Sequence, residues 1–253
     1  MGFPSLGTDR TTEAVKDVRT ALEQAKDGPR DEGVLGNQSV RLVQNILDLG
    51  IDGKGRFHSA AKVADDALRA AHGDRDAAVD AVVRSHVRLG GAMGFVTSLG
   101  GFVTLPVALP ANVLGYYLLA TRLTAAVARL RGHDIGQEQI RTAILLTLVG
   151  ADADDLLKKA GMAVPSGGLA NLAAQRLPGP AMMVVQKGIG FRLLATVGRS
   201  TFTRFGRLVP IVGGAIGGAL DSWMMRRVAA SARREFPPAT PAPAPVVRQV
   251  EHA

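Results

Sequence analysis

The sequence predicts an all-α protein, a multi-helix bundle with a Gly/Pro-rich apolar helical hairpin at its centre. Three observations lead to this fold class. Apolar residues recur at helical spacing in segment after segment. No run reads as a βαβ unit. The stretch Leu89–Thr121 contains no charged residue, although 21% of the whole chain is charged. Such a stretch requires apolar cover, from lipid or from the protein's own helices.

The uncharged stretch carries six glycines and two prolines. Pro106 and Pro110 divide it, and proline disfavours both the helix interior and a helical residue before it. We therefore expect two helical arms, 89–105 and 111–131, with a turn at Pro106–Pro110. A single bilayer crossing needs about 20 apolar helical residues, which neither arm provides cleanly. The hairpin could dip into one leaflet or form the buried centre of a soluble bundle.

The remaining elements follow from apolar stripes and their flanking cap residues. Ser59 is expected to cap a helix that Gly73 stops, Asp74 to cap the next helix, and Gly132 to end the second arm. Other helices are predicted at 11–25, 40–50, 134–148, 181–208 and after Pro210. The predicted organisation is a flexible leader at 1–10, one helical domain at 11–236 and a disordered Pro/Ala-rich tail at 237–253.

Positive charge is concentrated in the part of the chain that begins with the uncharged stretch. Residues 1–88 hold thirteen basic and fourteen acidic residues, whereas residues 89–253 hold seventeen and eight. A basic surface suits an anionic partner, either lipid or nucleic acid. The arginines are interleaved with long apolar runs and no helix-turn-helix is recognisable. This pattern favours membrane lipids, particularly anionic ones, or a membrane protein, and argues against nucleic acid.

Candidate contact residues come from the hairpin and from the two basic segments after it. Expected membrane or partner contacts are Phe95, Leu99, Phe102, Leu105, Phe191, Phe202 and Phe205. Expected contacts with an anionic surface are Arg122, Arg129, Arg192, Arg199 and Arg207. The alternative for 181–208 is that its phenylalanines pack inward and its arginines face water. Close helix packing is expected at Gly213, Gly214, Gly217 and Gly218, whose four-residue spacing allows backbones to approach.

The tests for chemistry favour a protein that is not an enzyme. The chain has no cysteine, its five histidines are dispersed, and the HExxH, GxSxG and GxGxxG motifs are absent. His86 lies on an apolar helical face and is interpreted as a hydrogen-bonded core histidine. We therefore predict no catalytic residue, no cofactor and no metal site.

Three blocks of the sequence together resemble the EcsC protein family. They are LGIDGKGRFHSAAKVADDAL at 49–68, the hairpin leading into LLATRLTAAVARLRGHDI at 118–135, and RLVPIVGGAIGGALDSW at 207–223. The resemblance implies an all-helical protein linked to bacterial membranes, with a founding member encoded beside an ABC transporter. It supplies no catalytic residues, and Asp221 stands where many relatives are expected to have an amide.

The sequence thus predicts a non-enzymatic, membrane-associated helical protein that binds lipid or a membrane partner, possibly an ABC transporter. No basic segment followed by an apolar one opens the chain, so we expect no secretory signal. The expected location is the cytoplasm, at the inner face of the bacterial cell membrane. The alternative is a soluble helical interaction or scaffold module without membrane contact.

Overall fold

The computed structural model of the protein describes residues 41, 43–53, 57–99, 101–149, 187–188 and 210–239, with side chains described outside 96–99, 101–113, 149 and 210–214. These residues form a π-helical segment and five α-helices, and none lies in a strand. The prediction of an all-α fold is therefore confirmed for this part of the chain. The elements are the π segment (Asp48–Asp52), α1 (Ala60–Ala70), α2 (Arg75–Leu99), α3 (Gly101–Leu130), α4 (Glu138–Val149) and α5 (Pro210–Glu235).

Local side-chain chemistry sets several helix ends where the sequence predicts them. The Ser59 hydroxyl accepts the Lys62 amide at the start of α1. The Asp74 carboxylate accepts the amides of residues 76 and 77 at the start of α2. Gly73 and Gly132 follow α1 and α3 with φ of 89° and 92°, a conformation that favours glycine. These four predictions are confirmed.

Helix α3 is the centre of the described bundle. It contacts the π segment and each of the other four α-helices. From Leu114 to Leu130 only Tyr116, Tyr117 and Arg129 are not buried. The buried hydroxyls of Thr121 and Thr124 donate to carbonyl oxygens one turn earlier in α3, at 2.8 and 2.9 Å. This arrangement satisfies polar groups that would otherwise be costly to bury.

Helix α2 runs antiparallel to both α3 and α5. His86 and Met93 of α2 meet Arg122 and Gly115 of α3, so the contact moves backward along one helix as it moves forward along the other. Contacts with α5 follow the same order. Asp80 pairs with Arg233 and the Val87 carbonyl accepts the Ser222 hydroxyl, while Gly94 lies against Gly217. Helix α2 therefore lies between the central helix and the C-terminal helix.

The turn predicted at Pro106–Pro110 is wrong, because α3 continues through both prolines from Gly101 to Leu130. A proline removes one backbone hydrogen bond and tends to kink a helix, and neighbouring packing can maintain the helix around it. Helix α2 ends at Leu99 and α3 begins at Gly101.

Several predicted elements lie outside the described residues. They are the leader at 1–10, the helix at 11–25 and most of the helix at 181–208. The predicted tail is described only at 237–239, where it contacts the bundle. The Ala239 amide donates to the Arg131 carbonyl at 2.7 Å, and the His133 ring lies 2.8 Å from the Pro237 carbonyl oxygen.

Candidate functional site

Glycines bring the backbones of α2 and α5 into direct contact. A β-carbon on Gly94 would stand 2.7 Å from the carbonyl oxygen of Gly217, and one on Gly218 would stand 2.9 Å from that of Gly91. Real β-carbons do not approach other atoms so closely, so these positions admit only glycine without a shift of the backbone. The predicted packing residues Gly217 and Gly218 thus lie at this contact. Gly213 and Gly214 belong to the first turn of α5.

Beside the glycine contact lies a cluster of exposed apolar side chains. We call it the apolar patch, and it consists of Phe95, Ile216, Leu220, Trp223 and Met224. Their exposed fractions run from 36% for Met224 to 50% for Trp223. Every exposed large hydrophobic residue in the described part of the chain belongs to this patch. Single exposed apolar residues are ordinary, whereas a concentration of them on one face marks an interaction surface.

Helical spacing places four of the patch residues on one side of α5. Ile216, Leu220, Trp223 and Met224 are separated by four, three and one residues, so they occupy one side of α5. The opposite side, which includes Met225, is buried against the bundle. Phe95 of α2 lies at the edge of the glycine contact, where its β-carbon is 3.4 Å from the position a Gly218 β-carbon would take, and it adds a fifth exposed apolar side chain to this end of the α2–α5 pair.

Arginines adjoin the patch on the same helix. The Arg227 guanidinium lies over the Trp223 ring, 4.9 Å from its centroid. A cation over an indole face is attracted by the negative potential of the ring. Arg226, next to Arg227, is also exposed. The outer side of α5 is therefore apolar in its first half and basic in its second.

The structure places Arg122 in the protein interior, away from any anionic surface. Its side chain is only 9% exposed, and its guanidinium lies 4.1 Å from the centroid of the Phe57 ring. Its Nε–H donates to Nε2 of the buried His86 at 3.2 Å. Among the described residues no carboxylate forms an ion pair with it. Desolvation lowers the pKa of Arg122 to about 10, so the side chain is still a cation at neutral pH.

His86 is a hydrogen-bonded core histidine, as the sequence predicts. Its Nδ1 lies 2.9 Å from the Val82 carbonyl oxygen, which can only accept, so Nδ1 carries the proton and Nε2 accepts from Arg122. Burial, reinforced by the positive charge of Arg122, lowers the pKa of His86 to about 4. The ring is therefore neutral at physiological pH, and Arg122 and His86 form an internal hydrogen-bonded pair.

Arg129 lies at the surface in a bidentate ion pair. Its Nε and one terminal nitrogen each donate to Asp65 at 3.0 Å, joining α3 to α1. The carboxylate holds the pKa of Arg129 above its ordinary value. The pair lines an open depression of about 370 Å³ that also includes Arg75, His133 and Asp134. Arg129 was predicted to contact an anionic surface, and its guanidinium is already paired with the Asp65 carboxylate within the protein.

The other predicted contacts fall into three groups, namely one exposed residue, three residues whose side chains are not described, and six residues outside the described part. Phe95 is 42% exposed and belongs to the apolar patch. Leu99, Phe102 and Leu105 lie in α2 and α3 at positions whose side chains are not described. Outside the described residues are Phe191, Arg192, Arg199, Phe202, Phe205 and Arg207.

Sequence reasoning missed four of the five patch residues. The signal was present as the spacing of Ile216, Leu220, Trp223 and Met224, followed directly by two arginines. The four glycines in the same segment indicate which side of α5 packs against another helix. The exposed side of α5 can be identified only when the contact with α2 shows which side is buried.

Within the described residues, no three His, Asp or Glu side chains come together in a way that could hold a metal ion. None of the described helices is both long enough and apolar enough to cross a bilayer. No protein-family model, curated protein or solved structure matches the chain.

Proposed function

We propose that the protein is a non-enzymatic helical protein that associates with the cytoplasmic face of a membrane through the apolar patch. The observation that carries this proposal is the concentration of exposed large hydrophobics on the outer side of α5 and at the neighbouring end of α2. An isolated bundle gains nothing from leaving five such side chains in water. A lipid surface or a membrane protein would cover them.

The size of the patch suits reversible association. Burying a large apolar side chain completely stabilises by about 1.5–3 kcal/mol, and the patch residues are between one third and one half exposed. Each residue can therefore contribute about 1 kcal/mol when it enters an apolar phase. Five such contributions, reduced by the entropy lost on docking, give a peripheral attachment that a few substitutions can abolish.

Two further parts of the proposal rest on the sequence. The first is a Gly/Pro-rich apolar hairpin, formed by the segments on either side of residue 100, that contributes Phe102 and Leu105 to the same contact. The second is membership of the EcsC family, with its link to bacterial membranes. The antiparallel contact of α2 and α3 supports the first part.

The test uses the chain's single tryptophan as its probe. Trp223 is half exposed, so transfer from water to lipid will shift its fluorescence emission to shorter wavelength. The full-length protein is mixed with phosphatidylcholine vesicles, and emission and co-sedimentation are measured. We expect a blue shift and pelleting with vesicles. Ile216→Asp/Leu220→Asp should abolish both, because two charges would have to enter the apolar region.

A matched control separates patch contacts from added negative charge. Ala70→Asp/Ala77→Asp introduces the same two charges at exposed positions of α1 and α2, and should bind vesicles like the original protein. Circular dichroism shows whether each variant keeps its helices. A monodisperse protein that leaves Trp223 emission unchanged with vesicles of any composition would overturn the proposal and favour the soluble scaffold.

A further inference from the structure

We propose that four arginines beside the apolar patch bind the head groups of anionic phospholipids and so determine which membrane surface the protein selects. We call them the arginine cluster, and they are Arg84 and Arg88 of α2 with Arg226 and Arg227 of α5. This inference rests on the proposed function, because the cluster can act only when the patch meets a bilayer. Neither Arg226 nor Arg227 is among the contacts predicted from the sequence.

The four side chains are exposed, and no described carboxylate forms an ion pair with them. The other two arginines near the end of α5 differ, since Arg233 pairs with Asp80 and Arg234 with Glu235. Asp80 attracts Arg84 electrostatically but forms its ion pair with Arg233, and a positive charge outside an ion pair is available to an external anion. The cluster therefore combines four such charges.

Helical periodicity aligns three of the four arginines with patch residues. On α2, Arg88 and Arg84 precede Phe95 by seven and eleven residues, which places each of them within about 20° of Phe95 on the helical wheel. On α5, Arg227 follows Leu220 and Ile216 by the same seven and eleven residues. Because the helices are antiparallel and Phe95 lies against Gly218, both arginine pairs extend toward the same end of the molecule.

The separation between patch and cluster matches the layering of a bilayer surface. Seven helical residues rise about 10 Å, which is the distance along the axis from Phe95 to Arg88 and from Leu220 to Arg227. The head-group region on each side of a bilayer is about 5–8 Å thick. When the patch enters the edge of the hydrocarbon, the arginines reach the level of the phosphates.

The chemistry of the cluster favours phosphate recognition. The planar guanidinium donates two parallel hydrogen bonds to a phosphate, and it is less strongly hydrated than an ammonium group. Trp223 holds the Arg227 guanidinium at 4.9 Å on the patch side of the cluster. Tryptophan is enriched at the level where the hydrocarbon meets the head groups, so this pair fits that depth.

Anionic lipid is distinguished from zwitterionic lipid by its surface potential. A negatively charged leaflet attracts each nearby arginine with a free energy equivalent to about a five-fold gain in affinity. Zwitterionic lipid presents phosphates without that net potential. We therefore expect the cluster to create a preference for phosphatidylserine-containing vesicles over phosphatidylcholine vesicles, and we expect high salt to weaken the preference.

The experiment measures the affinity of the full-length protein for both kinds of vesicle, using co-sedimentation and Trp223 emission. Arg226→Gln/Arg227→Gln and Arg84→Gln/Arg88→Gln should each weaken binding to phosphatidylserine-containing vesicles about 30-fold. Binding to phosphatidylcholine vesicles should change little. The control is Arg41→Gln/Arg75→Gln, which removes two exposed charges that belong to neither the patch nor the cluster and should retain the original preference.

The possible outcomes separate this inference from the proposed function. Equal affinity for the two kinds of vesicle, or an equal loss of affinity in all three double variants, would overturn the proposed role of the arginine cluster. Association through the apolar patch would be unaffected by either result. Failure to bind either kind of vesicle would overturn both proposals.

Discussion

The Nε–H of Arg122 donates to Nε2 of His86 at 3.2 Å inside the bundle, linking the central helix to α2. The His86 ring is 3% exposed and the Arg122 side chain is 9% exposed. A neutral imidazole accepts this hydrogen bond, whereas a protonated one would oppose the guanidinium with a second positive charge. The contact between α2 and α3 therefore depends on His86 remaining neutral, and this dependence leads to two predictions.

Acid should destabilise the protein through His86. The pKa of His86 is about 4 in the folded state, against 6.5 without the fold, so the unfolded chain takes up the proton first. The stability associated with neutral His86 is complete above about pH 6.5 and is lost as pH falls toward 4, by about 3 kcal/mol in all. Urea denaturation from pH 7 to 4 should show this loss, and His86→Gln should reduce it. His72→Gln, which changes an exposed histidine, should retain the original slope.

Arg122→Met should raise the pKa of His86. The guanidinium charge is the second cause of the lowered pKa, after burial. Removing the charge should move the value upward from about 4, while burial keeps it below 6.5. An NMR titration of the His86 ring measures the change directly. Arg129→Met, whose guanidinium pairs with Asp65, should leave the titration unaltered, and an unchanged value in Arg122→Met would show that burial alone sets the pKa.

Alanine substitution at two glycines of α2 that lie one turn apart should change the stability of the protein differently, because only one of them lies tightly against the α5 backbone. A β-carbon on Gly94 would stand 2.7 Å from the Gly217 carbonyl oxygen, whereas the nearest atom to one on Gly90 is the flexible end of Met225, at 3.4 Å. Gly94→Ala should destabilise by about 1–3 kcal/mol through overpacking. Gly90→Ala should be neutral or stabilise by up to about 1 kcal/mol through helix propensity. Equal midpoints of urea denaturation for the two variants would contradict the backbone contact.

The N-terminus of α2 should depend on the Asp74 cap. The carboxylate accepts two backbone amides, at 2.9 and 3.0 Å. Asp74→Ala leaves both donors without this partner and should cost about 1 kcal/mol of unfolding free energy. Asp74→Ser provides another capping oxygen and should recover most of the loss. Thermal denaturation followed by circular dichroism distinguishes the two variants.

The sequence is most informative where structure depends on neighbouring residues. Ser59, Gly73, Asp74 and Gly132 act within one helical turn, so their roles could be predicted from type and position alone. The same is true of His86, whose apolar helical face implies burial. The all-α class follows because helical periodicity is itself a local property.

Predictions that depended on tertiary packing were less successful. Pro106 and Pro110 indicate a break by local rules, yet α3 continues through both of them, because the sequence rules that disfavour proline in a helix express a tendency that a folded protein can override. Arg122 has the sequence signature of a surface cation, whereas in the fold it contacts two residues distant in sequence, Phe57 and His86. The apolar patch likewise depends on which face of α5 meets α2.

The antiparallel pairing of α2 and α5 also has a consequence for synthesis on the ribosome. The Val87 carbonyl receives its hydrogen bond from Ser222, a residue 135 positions later. At about 5–20 residues per second, roughly 7–27 s pass between translation of the two residues. During that interval the glycine-lined side of α2 has no α5 to cover it. The described bundle is therefore completed only after α5 has been made, and we expect the glycine-lined side of α2 to stay exposed on the nascent chain until then.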